Sequence, residues 1–407
     1  MKFAIIAAML LVSAFAARIE LTKTNTEKKM VTHLKESFAK GNIKTISHAE
    51  LLRSSNDVPM TTNLDNLVLT DHPSIPLENF EDLQYYGAVE VGSNADSYNF
   101  VLDTGSGWAW VSAKGCDNCP GENRFDSSKS TSFETTGQRK DLSYGKGFAS
   151  GPISYDEFYM GTEGSTHLRF IPADKSKDME GTKADGIIGL TPVSTGGEEL
   201  FVDRLHEDGV INKREFTTYI GKQDEQSYID FGANEADTSD VTYIPLSKLP
   251  GTRELIYWSA DFDSFTVAGH DLDLTYTSTI WDTGTSLIGF GPSDHKKVVS
   301  GLANGKQLVK TSDGFYGVGD CSDASQIDSL DLTFNGHEIS VPSDEFVVLL
   351  PEDKPEYCFF LLFEINLPGA LLGDSFLRDL SIIHDQEEQR LGVFPKKTAE
   401  DLIKESA

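Results

Sequence analysis

From about Tyr85 onward the chain sets short apolar or alternating runs between clusters of Gly, Asp, Asn and Pro. Ala88–Val91, Asn99–Leu102, Phe216–Ile220 and Ser227–Phe231 are examples. Runs this short, bounded by turn formers, predict strands rather than helices. Helical spacing is rare and brief. It occurs over Glu199–Glu207 and over Asp294–Leu302, where Ser293, after Pro292, suits an N-cap. Ala399–Lys404 reads as a short exposed helix. Ahead of the strand-rich body, Met30, Leu34 and Phe38 recur at helical spacing within 28–40. The expected fold class is all-β with few short helices.

The N-terminus has a different texture. Lys2 precedes an apolar stretch, Phe3–Val12, and Ala14-Phe15-Ala16 is a small-x-small cleavage pattern. This predicts an export signal over 1–16; the competing reading is an apolar helix kept in the fold. The stretch is too short to span a bilayer, and no later stretch is long enough.

Charge sharpens the division. The chain has 407 residues, enough for two sizeable domains, and its 39% apolar content is ordinary for globular proteins. Its 35 Lys+Arg against 64 Asp+Glu give a net charge of −29. Nucleic acid and anionic membrane surfaces repel such a chain, which excludes both as partners. The carboxylate surplus suits an acidic compartment, or serves solubility alone. Residues 1–60 run against the trend, with nine Lys+Arg and five Asp+Glu. A cationic segment ahead of an anionic body reads as a prosegment docked by charge, or as a merely basic linker. The expected layout is a signal at 1–16, a propeptide at 17–74, one lobe at 75–222 and a second at 223–407. Export implies an oxidising lumen, where four cysteines form two disulfides. There is no Asn-x-Ser/Thr sequon, so no N-linked glycan is expected.

The chain also repeats itself. Phe100-Val-Leu-Asp-Thr-Gly-Ser106 returns as Thr279-Ile-Trp-Asp-Thr-Gly-Thr285, and Ala184-Asp-Gly-Ile-Ile-Gly-Leu190 is echoed by Gly369-Ala-Leu-Leu-Gly-Asp374. In each half the second motif follows the first by about 80 to 90 residues. An ordered pair of motifs occurring twice argues for two related lobes. One Asp-Thr-Gly is an ordinary turn. Two copies, each ending an apolar strand and each followed by a hydroxyl (Ser106, Thr285), call for another account. Pseudo-twofold lobes bring Asp103 and Asp282 together at their interface. Two carboxyls that close share a proton. The charged one can take a proton from a water that attacks a carbonyl, while the neutral one donates to the developing oxyanion. Gly105 and Gly284 let backbone N–H groups approach closely.

With these motifs, the sequence resembles the pepsin-like aspartic proteases over about Ile75 to Pro395. The motifs carrying the resemblance are Leu102-Asp-Thr-Gly-Ser-Gly-Trp-Ala-Trp-Val111 and Ile280-Trp-Asp-Thr-Gly-Thr-Ser-Leu-Ile288. The resemblance implies a bilobal all-β fold with a cleft between the lobes, and an endopeptidase working at acid pH. It implies Asp103 and Asp282 as the catalytic pair, with Thr104 and Thr283 cross-linking the two loops. Leu142-Ser-Tyr-Gly-Lys-Gly-Phe148 looks like the flap, in which Tyr144 packs at the base and Gly145 and Lys146 bond the substrate strand. Trp110 matches a tryptophan that hydrogen-bonds the flap tyrosine. Val101, Ala184 and Ile187 match walls of the primary pocket. Ala184 replaces a bulkier residue, which implies a wider pocket. Lys146 stands where relatives carry a small hydroxyl residue. The family's propeptide lysine has no counterpart, because Arg53 is the only strongly basic residue between Thr45 and Ala113.

The cysteine order fits the family pairs Cys116–Cys119 and Cys321–Cys358. Cys-x-x-Cys also occurs in redox and zinc sites, but no second such pair accompanies it. The nine histidines lack metal-ligand spacing, so no metal or cofactor is expected. The expected partners are polypeptide substrates and the chain's own propeptide, the expected state is a monomer, and the expected destination is a lysosome- or vacuole-like compartment or the exterior. Two other functions fit parts of the pattern: a non-catalytic binding protein on the same fold, and a glycosidase with two carboxylates.

Overall fold

The computed structural model describes residues 17–23, 34, 36–37, 40, 43–53, 85–145, 147–161, 163–179, 182–221, 227–233, 241–350, 356–378 and 380–395. The export signal, most of the 28–40 helical pattern, Lys146 and the helix at 399–404 lie outside these residues. Strands dominate, as the pattern of short runs requires, and the fold is all-β in two related parts.

The same five-strand arrangement occurs twice. In the first half, Tyr85–Val91 pairs antiparallel with Asp96–Asp103. The latter pairs parallel with Gly186–Gly189, which pairs antiparallel with Ala109–Ser112. That strand in turn runs parallel to Ser165–Ala173. In the second half, Ser259–Asp261, Ser278–Trp281, Ala370–Leu372, Ile288–Phe290 and Leu362–Glu364 follow in the same order and the same senses. The repeated motifs of the sequence are these strands: each apolar-apolar-Gly run lies parallel beside the strand that ends in Asp-Thr-Gly. Gly186–Gly189, Ala109–Ser112 and Ser278–Trp281 are buried at every position, so none of them shows the apolar–polar alternation of a half-exposed strand.

A long sheet joins the halves. It runs through Leu380–Asp385, Glu215–Tyr219, Ser227–Phe231, Ala17–Lys23 and Tyr85–Val91. Ala17–Lys23 is thus an interior strand, antiparallel to both neighbours. Arg18 fixes it by donating to both carboxylate oxygens of Asp230, at 2.6 and 2.8 Å, with its guanidinium 3.8 Å from the centre of the Tyr228 ring. Lys44–Ile46 forms a second early strand, paired with Leu308–Lys310 in a different sheet. One main apolar core contains residues of both halves together with Ile19, Leu34 and Leu51. Its aromatic rings meet edge to face, as in Phe125–Phe170 and Phe158–Phe170.

Helices are few. Phe201–Glu207 starts two residues later than its sequence pattern. Pro292–Ala303 departs from the sequence reading at its start. Gly291 is the N-cap and Pro292 sits in the first turn, so Ser293 lies inside the helix rather than capping it. Proline's fixed φ and missing N–H suit that first position. Cys116–Cys119 and Cys321–Cys358 are disulfide-bonded. Both sulfurs of the tight loop are buried, and Arg124 ties that loop by donating to the carbonyls of Cys119, Pro120 and Gly121.

Candidate active site

Asp103 and Asp282 end the two equivalent strands, and the pseudo-symmetry brings them face to face. Each is nearly buried, at 5% and 9% exposure. Their settings match atom for atom. Asp103 Oδ1 accepts from the Gly105 N–H at 2.9 Å, and Asp282 Oδ1 accepts from the Gly284 N–H at 2.8 Å. The Ser106 hydroxyl donates to Asp103 Oδ2, and the Thr285 hydroxyl donates to Asp282 Oδ2 at 2.6 Å. A Cβ on Gly105 would lie 2.6 Å from Asp282 Oδ1, and one on Gly284 would lie 2.2 Å from Asp103 Oδ1. Each carboxylate therefore packs on the other loop's glycine, where no side chain fits.

Thr104 and Thr283 lock the loops together. Each threonine N–H donates to the other's hydroxyl, at 3.1 and 2.9 Å. Each hydroxyl then donates across the interface, Thr104 to the Trp281 carbonyl at 2.8 Å and Thr283 to the Leu102 carbonyl at 2.5 Å. Both residues are buried. Every donor and acceptor of this cross-link is matched, so it fixes the loops without an unmet polar group.

Burial pushes the pKa of Asp103 well above the ordinary carboxylate range, and the neighbouring charge of Asp282 raises it further. The bonds from Ser106 and Gly105 oppose the rise without cancelling it. The carboxyl of Asp103 is thereby held toward its protonated form.

Glu134–Tyr144 and Gly147–Tyr159 form the expected hairpin, closed by the pair Tyr144–Gly147. Gly145 at its tip is exposed. Tyr144 is half-buried, and its ring lies 6.4 Å from that of Trp110. Burial first, and then the charge of Asp103, raise the pKa of its phenol, which therefore stays protonated. Hydrogen bonds from the Trp110 and Ser106 side chains work against that rise. The two rings are tilted to one another, so Trp110 also packs against the tyrosine.

Val101 and Ile187 are cross-strand partners in a second apolar cluster, which also contains Trp108, Trp110, Leu142 and Met179 and has Tyr144 packed against it. Ala184 belongs to the same cluster but has no exposed surface at all. It therefore packs inside the wall rather than widening an open pocket. Asp185 beside it is also fully buried, and it accepts from the Asn99 N–H and from both the N–H and the side-chain amide of Asn123. Its role there is to hold the chain together.

Tyr257 went unnoticed in the sequence. It lies close enough to both aspartates for their charges to raise its phenol's pKa, after burial as the larger cause. Only the pairing of Ser259–Asp261 with Ser278–Trp281 brings it there. Among the described residues no three His, Cys, Asp or Glu side chains are grouped to hold a metal ion, and no helix is long and apolar enough to cross a membrane.

Two carboxyls in matched loops at the junction of two related β-rich halves fit an aspartic-type endopeptidase. The family model for eukaryotic aspartyl proteases matches residues 84–396, and the chain belongs to that family. It is 27% identical to vacuolar protease A of Neurospora crassa over 380 residues, covering 90% of this chain and 89% of that protein. It is 26% identical to pepsin A of Suncus murinus over 361 residues, covering 85% and 89%. Against pepsin A of Gallus gallus the identity is 27% over 335 residues, covering 79% and 86%.

Proposed function

We propose that the protein hydrolyses peptide bonds at acid pH with a water activated between Asp103 and Asp282. The observation that carries this reading is the matched pair of carboxyl settings, locked by Thr104 and Thr283. Asp282 acts as the base: it takes a proton from the water, whose oxygen bonds to the peptide carbonyl carbon. Asp103 gives its proton to the carbonyl oxygen, which becomes a hydroxyl. The tetrahedral adduct then collapses. Its nitrogen gains a proton, the C–N bond breaks, and the hydroxyl proton returns to the pair. Thr104, Gly105, Ser106, Thr283, Gly284 and Thr285 hold the two carboxyls in register. The hairpin carrying Tyr144, Gly145 and Lys146 closes over the bound peptide and displaces water. Val101, Trp110 and Ile187 form the apolar wall beneath it.

In this reading 1–16 is an export signal, 17–74 is a propeptide that inhibits its own enzyme, and the lobes are 75–222 and 223–407. The enzyme is a monomer of a vacuole-like acidic compartment or of the exterior, as the names of its relatives suggest for them. Digestion of denatured haemoglobin at acid pH, with and without pepstatin, tests the reading. Pepstatin-sensitive cleavage that disappears in both Asp103→Asn and Asp282→Asn supports it. Turnover surviving in either variant removes that residue from the chemistry.

A further inference from the structure

Lys140 stands four residues before Tyr144 on the strand Glu134–Tyr144. Alternate residues of a strand share a face, so Lys140, Leu142 and Tyr144 look the same way. Leu142 is buried in the apolar cluster that contains Trp108 and Trp110. Each tryptophan meets one of the hairpin's side chains. The Tyr144 ring lies 6.4 Å from that of Trp110, and the Lys140 ammonium lies 5.3 Å from the centre of the Trp108 ring. An indole face attracts a cation held over it.

The same ammonium donates to the Gly196 carbonyl at 3.0 Å. That carbonyl belongs to the stretch 191–199, Thr-Pro-Val-Ser-Thr-Gly-Gly-Glu-Glu. Its two glycines make a turn, with Gly197 in the left-handed region at φ +81°. Glu198, 7% exposed, braces the turn from inside by accepting from the N–H groups of Thr195 and Gly196, at 2.7 and 2.6 Å. The Gly197 carbonyl accepts from Arg169 of the strand Ser165–Ala173 at 2.7 Å. The stretch is seated on the loop of the first aspartate. The Thr191 N–H donates to the Ser106 carbonyl at 3.1 Å, and a Cβ on Gly107 would lie 2.8 Å from both Glu198 Oε1 and Thr191 Oγ1. Lys140 therefore joins the hairpin to a part of the chain that is itself fixed against Ser106 and Gly107.

We propose that Lys140 is a positioning residue, whose bond to Gly196 and contact with Trp108 set the fraction of molecules in which the hairpin is closed. This rests on the peptidase reading, in which the hairpin closes over the bound peptide. Lys140 takes no part in the proton transfers. A ligand that needs the closed form binds with an apparent affinity reduced by the fraction closed. Loss of the tie therefore weakens substrate and inhibitor by one common factor and leaves turnover of the bound complex alone.

Lys140→Met keeps most of the side chain's length and loses the donor and the charge, while Lys140→Arg keeps both. Lys140→Met should raise KM for a peptide without acidic residues and the inhibition constant of pepstatin by the same factor, about three- to tenfold, with kcat within about twofold of the parent. Lys140→Arg should bring both constants back to within about twofold of the parent. In the free protein, hydrogen exchange over Glu134–Tyr144 should quicken in Lys140→Met, while Ser165–Ala173 exchanges as in the parent. Unchanged exchange of the hairpin, or a fall in kcat at constant KM, would overturn the proposal. So would a rise in KM confined to peptides with acidic side chains and absent for pepstatin, which would make Lys140 a contact for substrate charge instead. A parent protein that digests no peptide, with hairpin exchange still quickened by Lys140→Met, would refute the peptidase reading and leave the tie standing.

Discussion

Gly284 shows how closely the two carboxyl loops interlock, since any side chain there would strike Asp103. The same closeness sets the pH behaviour of the fold. Folding raises the pKa of Asp103, through burial and then the charge of Asp282, so the folded protein binds this proton more tightly than the unfolded chain. The associated stability is present in full below the unfolded carboxylate pKa and is lost as pH climbs through the raised folded value. Asp103→Asn removes that titration. The variant should melt higher than the parent at neutral pH, with the difference shrinking toward about pH 4, while kcat falls by at least about 10²–10⁴-fold. Melting curves across that range check it, and parallel pH dependences in the two proteins would sink it. At this scale the sequence was most informative where a residue repeats: Asp-Thr-Gly twice announced itself. Tyr257 and Ala184 were opaque for opposite reasons. Tyr257 reaches the aspartates only through strand pairing across the second half, and Ala184 is shut in by a cluster assembled from several elements.

The hairpin of Glu134–Tyr144 and Gly147–Tyr159 is held from the side as well as by its own pairing. Phe148, Ala149 and Ser150 pair with the short strand Lys175–Lys177. A Cβ on Gly147 would lie 2.6 Å from the Lys177 carbonyl oxygen and 2.8 Å from Met179 Sδ. Gly147→Val should therefore push the hairpin off its support, costing about 1–3 kcal/mol of stability from overpacking. It should also lower kcat/KM at least tenfold on a peptide substrate. Urea unfolding and steady-state kinetics on one preparation measure both, and unchanged kinetics would mean that the hairpin's position does not govern turnover. The hairpin over Leu142 to Phe148 was legible through the family resemblance, while Tyr144-Gly145 alone reads only as a hairpin turn. Its lateral support was not, since Lys175–Lys177 is charged at both ends and carries no strand signature. Ala17–Lys23 did alternate apolar and polar residues, but its place inside the joining sheet depends on partners more than sixty residues and more than two hundred residues away.

For the molecule as a whole, that early strand bridges the halves. Without it, Ser227–Phe231 and Tyr85–Val91 face each other as unpaired edges across the joining sheet. A chain produced from residue 24 onward should give much less soluble monomer than one starting at Ala17, because the two halves must then fold without the strand that pairs with both, and edges left open during folding recruit other chains. Soluble yield and size-exclusion profiles compare the two, and equal recovery of monomer would show the strand to be dispensable for folding. The division into a cationic lead and an anionic body was readable from charge. Of the two anchors of that lead described above, only Arg18 on Asp230 is an ion pair, while the other is apolar and backbone-borne. The threonine cross-link has a temporal meaning too. During synthesis, a chain that has emerged only as far as its first half presents one carboxyl and half of the lock. It has nothing with which to cut itself or its neighbours. Activity needs both halves to arrive and fit, so the cell making this enzyme is shielded from it for as long as either half is unfinished.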